Sequence, residues 1–411
     1  MGPPTLQYSN TPTLQETGPQ AMYENTDNPD PVLMFVVLIL VAIGAVMVYS
    51  SSSVLAETRF EGSGFFVKRH LLRVFMGVAV MLLVVRINYH FFIRISKGVL
   101  LVGLGLLLML WFNRGEAVGA RRWIRLLGIS FQPSEFIKLA LVIYTADSLV
   151  RRQDRIRSFA DGLLPYLILF GASLGLIVVQ PDLGTAVTIG VILTIMLFVG
   201  RVRLSHILSV GLALIPILYA LIFWVGYRKD RIEAFLHRGD HVEDVSYQIY
   251  HSLIALSSGG VKGVGLGQST QKLLFLPQPH TDFVFSILGE EFGLLGTLTV
   301  LSLFLIVLWR GMRIALHAQD LEGFFLATGI TVMICVYALF NIGVATAVLP
   351  TTGLPLPFIS YGGSSLLLTL VGVGILLSIS RTGREDGRGR ISKISKISKI
   401  SKIAWSGVGS L

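Results

Sequence analysis

The amino-acid sequence predicts an all-α, polytopic integral membrane protein of about ten transmembrane helices, with a large extracytoplasmic loop between helices 7 and 8. Three observations lead there. Only 14% of the 411 residues are charged, 53% are hydrophobic, and mean hydropathy is +0.71. A soluble domain carries about 25% charged residues, so these are too few to cover a water-soluble surface. The apolar residues come in long blocks separated by short polar loops, and each block approaches the roughly 17–25 residues a helix needs to cross a bilayer. A transmembrane barrel would show shorter segments of alternating polarity. Finally, Arg and Lys collect in alternate loops, as the positive-inside bias requires.

By apolar length the spans fall at about 33–50, 70–87, 97–112, 134–149, 162–180, 184–199, 205–226, 283–309, 323–345 and 364–380. The third, fourth and sixth are short, and one of them is a candidate interfacial segment. Residues 1–31 are polar, without Lys or Arg, and read as a disordered tail rather than a signal peptide. Residues 32–381 form the membrane domain, and 382–411 a basic low-complexity tail repeating Ile-Ser-Lys. Its lysines are candidates to hold acidic lipid headgroups, and the ordinary, preferred reading is a solvated tail. An even number of spans puts both termini on one side. Arg94 and Lys97, Arg151 to Arg157, Arg201 and Arg203, Arg310 and Arg313 share that side, which is therefore cytoplasmic. The same bias accounts for the net charge of +10, so no nucleic-acid partner is inferred. A single cysteine, Cys335, excludes an intramolecular disulfide or thiolate cluster.

The opposite side carries the unusual chemistry. The loop 113–132 holds Arg114, Arg121, Arg122 and Arg125 against one acid, Glu116. Lipid headgroups or an anionic ligand would equally attract them. The large loop 227–282 starts with Arg228, Lys229, Asp230, Arg231 and Glu233. It continues into an amphipathic stretch, Tyr247 to Leu256, able to lie on the membrane surface. The glycine-rich run Gly259 to Gly267 reads as a flexible bend, because its spacing fits neither nucleotide-binding fingerprint.

Polar groups at membrane depth are costly and mark function. Asp282, in His280-Thr281-Asp282-Phe283, would serve as a helix N-cap in the ordinary reading and as a surface carboxylate for chemistry in the other. Glu290 and Glu291 need partners inside the bundle and are structural ion-pair candidates. In Gln132-Pro133-Ser134-Glu135, Ser134 is a candidate cap. Glu135 can pair with Lys138 three residues on, and Glu290 or Glu291 is the alternative partner. Gln180-Pro181-Asp182-Leu183-Gly184-Thr185 is a polar turn between spans. The stretch Leu349 to Ser365 has too many Pro and Gly to be helical, so it must be buried in protein or line a wet cavity. All four places converge on the extracytoplasmic side, which suits a lipid-linked phosphate substrate.

These motifs, with Gly119-Ala120-Arg121-Arg122-Trp123 and Ile359-Ser360-Tyr361-Gly362-Gly363-Ser364-Ser365, resemble the SEDS family of shape, elongation, division and sporulation proteins from about Val32 to Arg381. Gly289-Glu290-Glu291 and Pro350-Thr351-Thr352-Gly353-Leu354 are closer to its division members. After Ala234-Phe235-Leu236 the chain departs from the family pattern, reading His237 to Asp244 in place of a Pro-containing, Gly-rich stretch. The resemblance implies a peptidoglycan glycosyltransferase at the septal inner membrane. It would polymerise lipid II, an undecaprenyl-diphosphate-linked disaccharide peptide, with a class B penicillin-binding protein and divisome proteins as partners. It matches the family's essential aspartate to Asp282 and its loop arginine to Arg122. Asp282 is then the catalytic base. The substrate-binding candidates are Arg122, Arg121, Trp123, Gln132, Ser134, Glu135, Lys138, Gln180, Asp182, Thr185, His280, Thr281, Ser360, Gly362 and Gly363. No cofactor is certain. A divalent cation is a candidate to share the diphosphate, with ligands the sequence does not reveal. A lipid II flippase and a scaffold recruiting the penicillin-binding protein are the rival readings.

Overall fold

A computed structural model describes residues 28–59, 64–112, 122–126, 129–224, 231, 235, 244–273, 275–277 and 279–382. Arg121, the divergent 237–243 segment and the Ile-Ser-Lys repeats lie outside the described residues.

The chain is an all-α membrane bundle. Its helices are α1 (Pro31–Arg59), α2 (Phe65–Arg86), α3 (Tyr89–Arg94), α4 (Ser96–Phe112), α5 (Pro133–Arg151), α6 (Leu164–Val179), α7 (Leu183–Val199), α8 (Leu204–Tyr219), α9 (Asp244–Ser258), α10 (Val284–Leu316), α11 (Leu321–Ala345) and α12 (Gly363–Thr382). Apart from α3 and α9, these answer to the ten expected spans. Five segments are long and apolar enough alone to cross a membrane: Pro31–Ser53, Phe159–Val179, Val284–Leu316, Leu321–Ala345 and Gly363–Thr382. The apolar helices α4, α7 and α8 have 17, 17 and 16 residues, or about 25 Å of rise. α2 and α5 are long enough, with 22 and 19 residues, but carry charges that the bundle must satisfy. The candidate interfacial segment is not α7, which buries Ile189, Ile192, Leu193 and Met196 against its neighbours. One feature is absent from the all-α expectation. Ile124–Leu126 (β1) and Ile129–Phe131 (β2) pair antiparallel, Ile124 opposite Phe131, and lead the chain into α5.

The end of the bundle away from Asp282 is fastened by ions. The Arg310 guanidinium holds both Asp30 carboxylate oxygens. Asp147 accepts from Ser96 and from Arg151, the latter at 2.5 Å. Asp320 caps α11 through the Gly323 N–H at 2.7 Å and accepts from Tyr89 at 3.0 Å.

The described part of the large loop, from Asp244 onward, packs against the bundle. α9 does not lie free on the surface. It buries Ile249, Ser252 and Ala255 against the bundle, and Ser252 Oγ bonds Ser286 Oγ at 2.6 Å and the Ala345 carbonyl at 2.7 Å. The glycine-rich run is likewise docked. α10 breaks at Gly293 (φ 65°, ψ −159°), and the run seals the break: Val264 and Gly265 N–H donate to Glu290 and Glu291 carbonyls, and Leu294 and Leu295 N–H to those of Gly260 and Val261. The glycines permit this approach, since a Cβ on Gly263 or Gly293 would overlap the opposing backbone.

Candidate active site at the Asp282 end of the bundle

Local rules first decide where Asp282 does not go. α10 starts at Val284, with Phe283 at the capping position and no side-chain cap. The ordinary employment of this aspartate is therefore vacant, and its carboxylate is released. The backbone at Asp282 is pinned instead. Asn341 Nδ2 donates to the Asp282 carbonyl at 2.8 Å and to the Leu354 carbonyl at 2.7 Å. Ser360 Oγ donates to the Thr281 carbonyl at 2.5 Å and accepts from the Leu356 N–H at 2.8 Å. Tyr361 N–H donates to the His280 carbonyl at 2.9 Å.

The partner in these contacts is the irregular stretch before α12. It lies inside protein: Leu354, Leu356, Phe358 and Ile359 are almost wholly buried. Phe358 adopts φ 67°, a left-handed conformation costing roughly 1–2 kcal/mol for a non-glycine residue. Packing holds it there, with its carbonyl against Gly44 of α1, where no side chain would fit.

Asp282 is partly buried. Desolvation pushes its pKa up to about 6; Asp182 adds to the rise, while Arg231, a Thr281 hydrogen bond and Arg122 oppose it. These five groups come from four separate stretches of chain. Gly353 presents only backbone beside the carboxylate: a Cβ there would lie 3.6 Å from Oδ2.

Arg122 is aimed by the α6–α7 turn. Its Nε donates to the Gln180 carbonyl at 3.1 Å and its Nη2 to that of Pro181. Both acceptors are neutral, so the guanidinium keeps its charge for another partner. Gln180 is itself anchored, its Nε2 donating to the Leu107 carbonyl at 3.2 Å. Asp182 caps α7, accepting from the Thr185 N–H at 3.3 Å. Arg231 donates to the Thr351 carbonyl at 3.0 Å.

Other candidates stand apart from Asp282. Trp123 is exposed at the surface. Ser134 is buried within the first turn of α5 but does not cap it: Gln132 holds the capping position and Pro133 the first helical one, where its missing N–H is harmless. Gln132 N–H donates to Ser364 Oγ at 3.2 Å. Glu135 and Lys138 choose each other, at 2.6 Å, and the ammonium lies 3.6 Å from the Tyr337 ring centre, all buried. Glu291 pairs with Lys272 at 3.0 Å and accepts from Ser50 at 2.5 Å. Glu290 accepts from Thr270 N–H and Oγ1, both at 2.9 Å, and from Ser269. His280 is buried, and burial holds its pKa down at about 4. Gly362 and Gly363 lead into α12, Gly363 lying beside Arg73 of α2.

The sequence reasoning missed Arg231 as a site residue and overlooked Asn341, Arg73 and His70. A polar Asn in the apolar span 323–345 was the available signal for Asn341. Arg231 had none, being one charge in a charged run. Among the described residues the one group of three metal-ligating side chains within 4.8 Å is His90, Asp320 and Glu322, at the other end of the bundle.

Comparison with known proteins places the chain in a family. A family model described as cell cycle protein, covering FtsW, RodA and SpoVE, matches residues 31–385. A probable peptidoglycan glycosyltransferase FtsW of Geobacter sulfurreducens is 44% identical over 353 residues, 85% of this chain and 95% of the relative. Stage V sporulation protein E of Bacillus subtilis is 42% identical over 360 residues, 87% of this chain and 98% of the relative. Among solved structures, a chain of a peptidoglycan synthase complex that coordinates polymerization and crosslinking aligns with a TM-score of 0.71 at 29% identity, over 87% of this chain and 99% of that one. The rod shape determining protein RodA of Thermus thermophilus aligns with a TM-score of 0.65 at 28% identity, over 87% and 98%.

Proposed function

Because the chain belongs to the FtsW, RodA and SpoVE family of cell cycle proteins, we propose that the outer-end site is where a peptidoglycan glycosyltransferase joins lipid-linked sugars, with Asp282 as its base. The activity is that of the curated relatives. The substrate is lipid II. The observation that carries the residue assignment is a carboxylate freed from capping duty and enclosed within the influence of Arg122 and Arg231.

A sugar hydroxyl of one lipid II attacks the anomeric carbon of another. The new C–O bond forms as the bond from that carbon to the diphosphate breaks, and the bonding pair leaves on the phosphate oxygen. The hydroxyl proton passes to the Asp282 carboxylate. Such general-base assistance is worth typically ~10²–10⁴-fold. A carboxyl titrating at about 6 is ionised at neutral pH yet more basic than a free aspartate. Arg122 and Arg231 face the leaving diphosphate, whose growing charge preorganised cations stabilise. Asp182 caps α7, which leaves Asp282 as the single base and favours one displacement with inversion.

The site faces the outside of the inner membrane, both termini are cytoplasmic, and the protein acts at the division septum with divisome proteins. Its partner is a class B penicillin-binding protein; the structural relative is likewise a chain of a peptidoglycan synthase complex. Polymerisation by purified protein, with and without that partner, from substrate already in detergent tests the reading. That assay needs no flipping and so separates a polymerase from a lipid carrier. No polymer from the wild-type complex refutes it.

A further inference from the structure

A third cation, Arg73, stands near the site, unclaimed by the chemistry above. Arg73 is about two turns into α2. A cation at this depth is costly and keeps company with carboxylates or carbonyls. Among the described residues Arg73 has neither: its recorded neighbours are the Tyr361 ring, centred 4.9 Å from the guanidinium carbon, and Gly363. One turn earlier, His70 is wholly buried, and neither ring nitrogen has a hydrogen-bond partner among the described residues. A buried polar group left so is normally satisfied by something else. The His70 ring lies 5.9 Å from Tyr361, Tyr361 lies 5.6 Å from His280, and His280 Nδ1 is a further buried atom without a partner. His280 precedes Asp282 by two residues.

The same helix face is tightly packed lower down, where Gly77 meets Leu370 and Val84 meets Gly374. Its outer end therefore departs from an otherwise apolar seam. The flank of α2 is bare, with Leu72 61% and Phe75 74% exposed. A cationic corner thus adjoins an apolar flank of α2.

We propose that this outer end of α2 is the acceptor subsite of the polymerase. Arg73, with His70 as a hydrogen-bond donor one turn away, receives the diphosphate of the incoming lipid-linked disaccharide, whose tail runs along Leu72 and Phe75. The assignment rests on the polymerase reading and follows from its geometry. The donor's phosphates are bonded to the reacting carbon, so they must lie beside Asp282, with Arg122 and Arg231. The acceptor's reacting hydroxyl and its diphosphate are at opposite ends of a disaccharide, so its anion site must stand off from the base. Arg73 does so, with Tyr361 and His280 between.

The test is initial polymerisation rates of the purified complex against lipid II concentration, in detergent, for wild type, R73Q and R73K. R73Q should raise KM about tenfold or more, the loss expected for a charge-assisted phosphate contact, with kcat within a few-fold of wild type, and R73K should recover part of the loss. A wild-type KM in R73Q overturns the subsite while leaving the polymerase standing; a wild-type complex that makes no polymer overturns both. The series is repeated with and without phosphatidylglycerol. A defect confined to its presence means that Arg73 holds an ordinary anionic lipid, and the subsite falls. A photoreactive residue replacing Leu72 guards against a misfolded R73Q. Cross-linking to lipid II that unlabelled lipid II competes away supports the subsite, and its absence overturns it.

Discussion

Asp282→Asn separates catalytic from structural roles, because it should abolish activity and stabilise the fold. The Asp282 pKa is raised from 3.8 to about 6, first by desolvation. Each pKa unit is 1.36 kcal/mol between protonation states, so the ionised carboxylate costs the folded state about 3 kcal/mol at neutral pH. Below pH 3.8 both folded and unfolded chains carry the proton and the penalty is absent. As pH rises from 3.8 to 6 the unfolded chain ionises first, stability falls, and above about 6 the loss is complete. Asparagine keeps the shape without the charge, and the backbone carbonyl bonded by Asn341 is unaffected. In detergent, D282N should therefore melt higher than wild type at pH 7 and equal to it near pH 4. Its polymerisation rate should fall by ~10²–10⁴-fold. A D282N protein that melts lower at pH 7, or polymerises at the wild-type rate, refutes the reasoning.

Four further outcomes follow from the structure. The wild-type rate should fall about tenfold per unit as pH drops below about 6, and H280Q should keep that limb, since burial already holds His280 neutral with a pKa of about 4; a pH–rate profile checks this. Asn341→Leu strands two carbonyls and should cost roughly 1–3 kcal/mol for each, lowering kcat as the 350–362 stretch loses its hold on Asp282; melting and rate are measured together. Lys272→Met leaves Glu291 buried without its cation and should destabilise by about 3–5 kcal/mol, with K272M/E291Q less affected in a double-mutant cycle. Gly293→Ala puts a side chain into a backbone region essentially reserved for glycine and against the docked glycine run; protease cutting within 259–267 should accelerate severalfold.

Some features were legible because local chemistry fixes them. Apolar length put the starts of two spans at 134 and 184, each one residue from the observed starts of α5 at Pro133 and α7 at Leu183. Glu135 and Lys138 could be paired on helical spacing alone. The misplacements were of another kind. Ser134 looked like a cap, but Pro133 moved the helix start ahead of it. Tyr247 to Leu256 looked like a surface helix because amphipathicity shows that a face is buried and not against what. The glycine run looked loose because its hydrogen-bond partners lie in another element.

The sequence by itself determined that the chain is a bundle of membrane helices, approximately where each apolar span lies, and which costly polar groups interrupt or flank them. A bilayer acts on each segment separately, so length, apolarity and charge can be read segment by segment. Only the tertiary structure decided which of those polar groups meet. Arg122 reaches across 58 residues to the Gln180 carbonyl, Asn341 across 59 to that of Asp282, and Arg231 across 120 to that of Thr351. The forces joining them act over a few ångströms, and the chain distances between them are set by how every intervening helix packs.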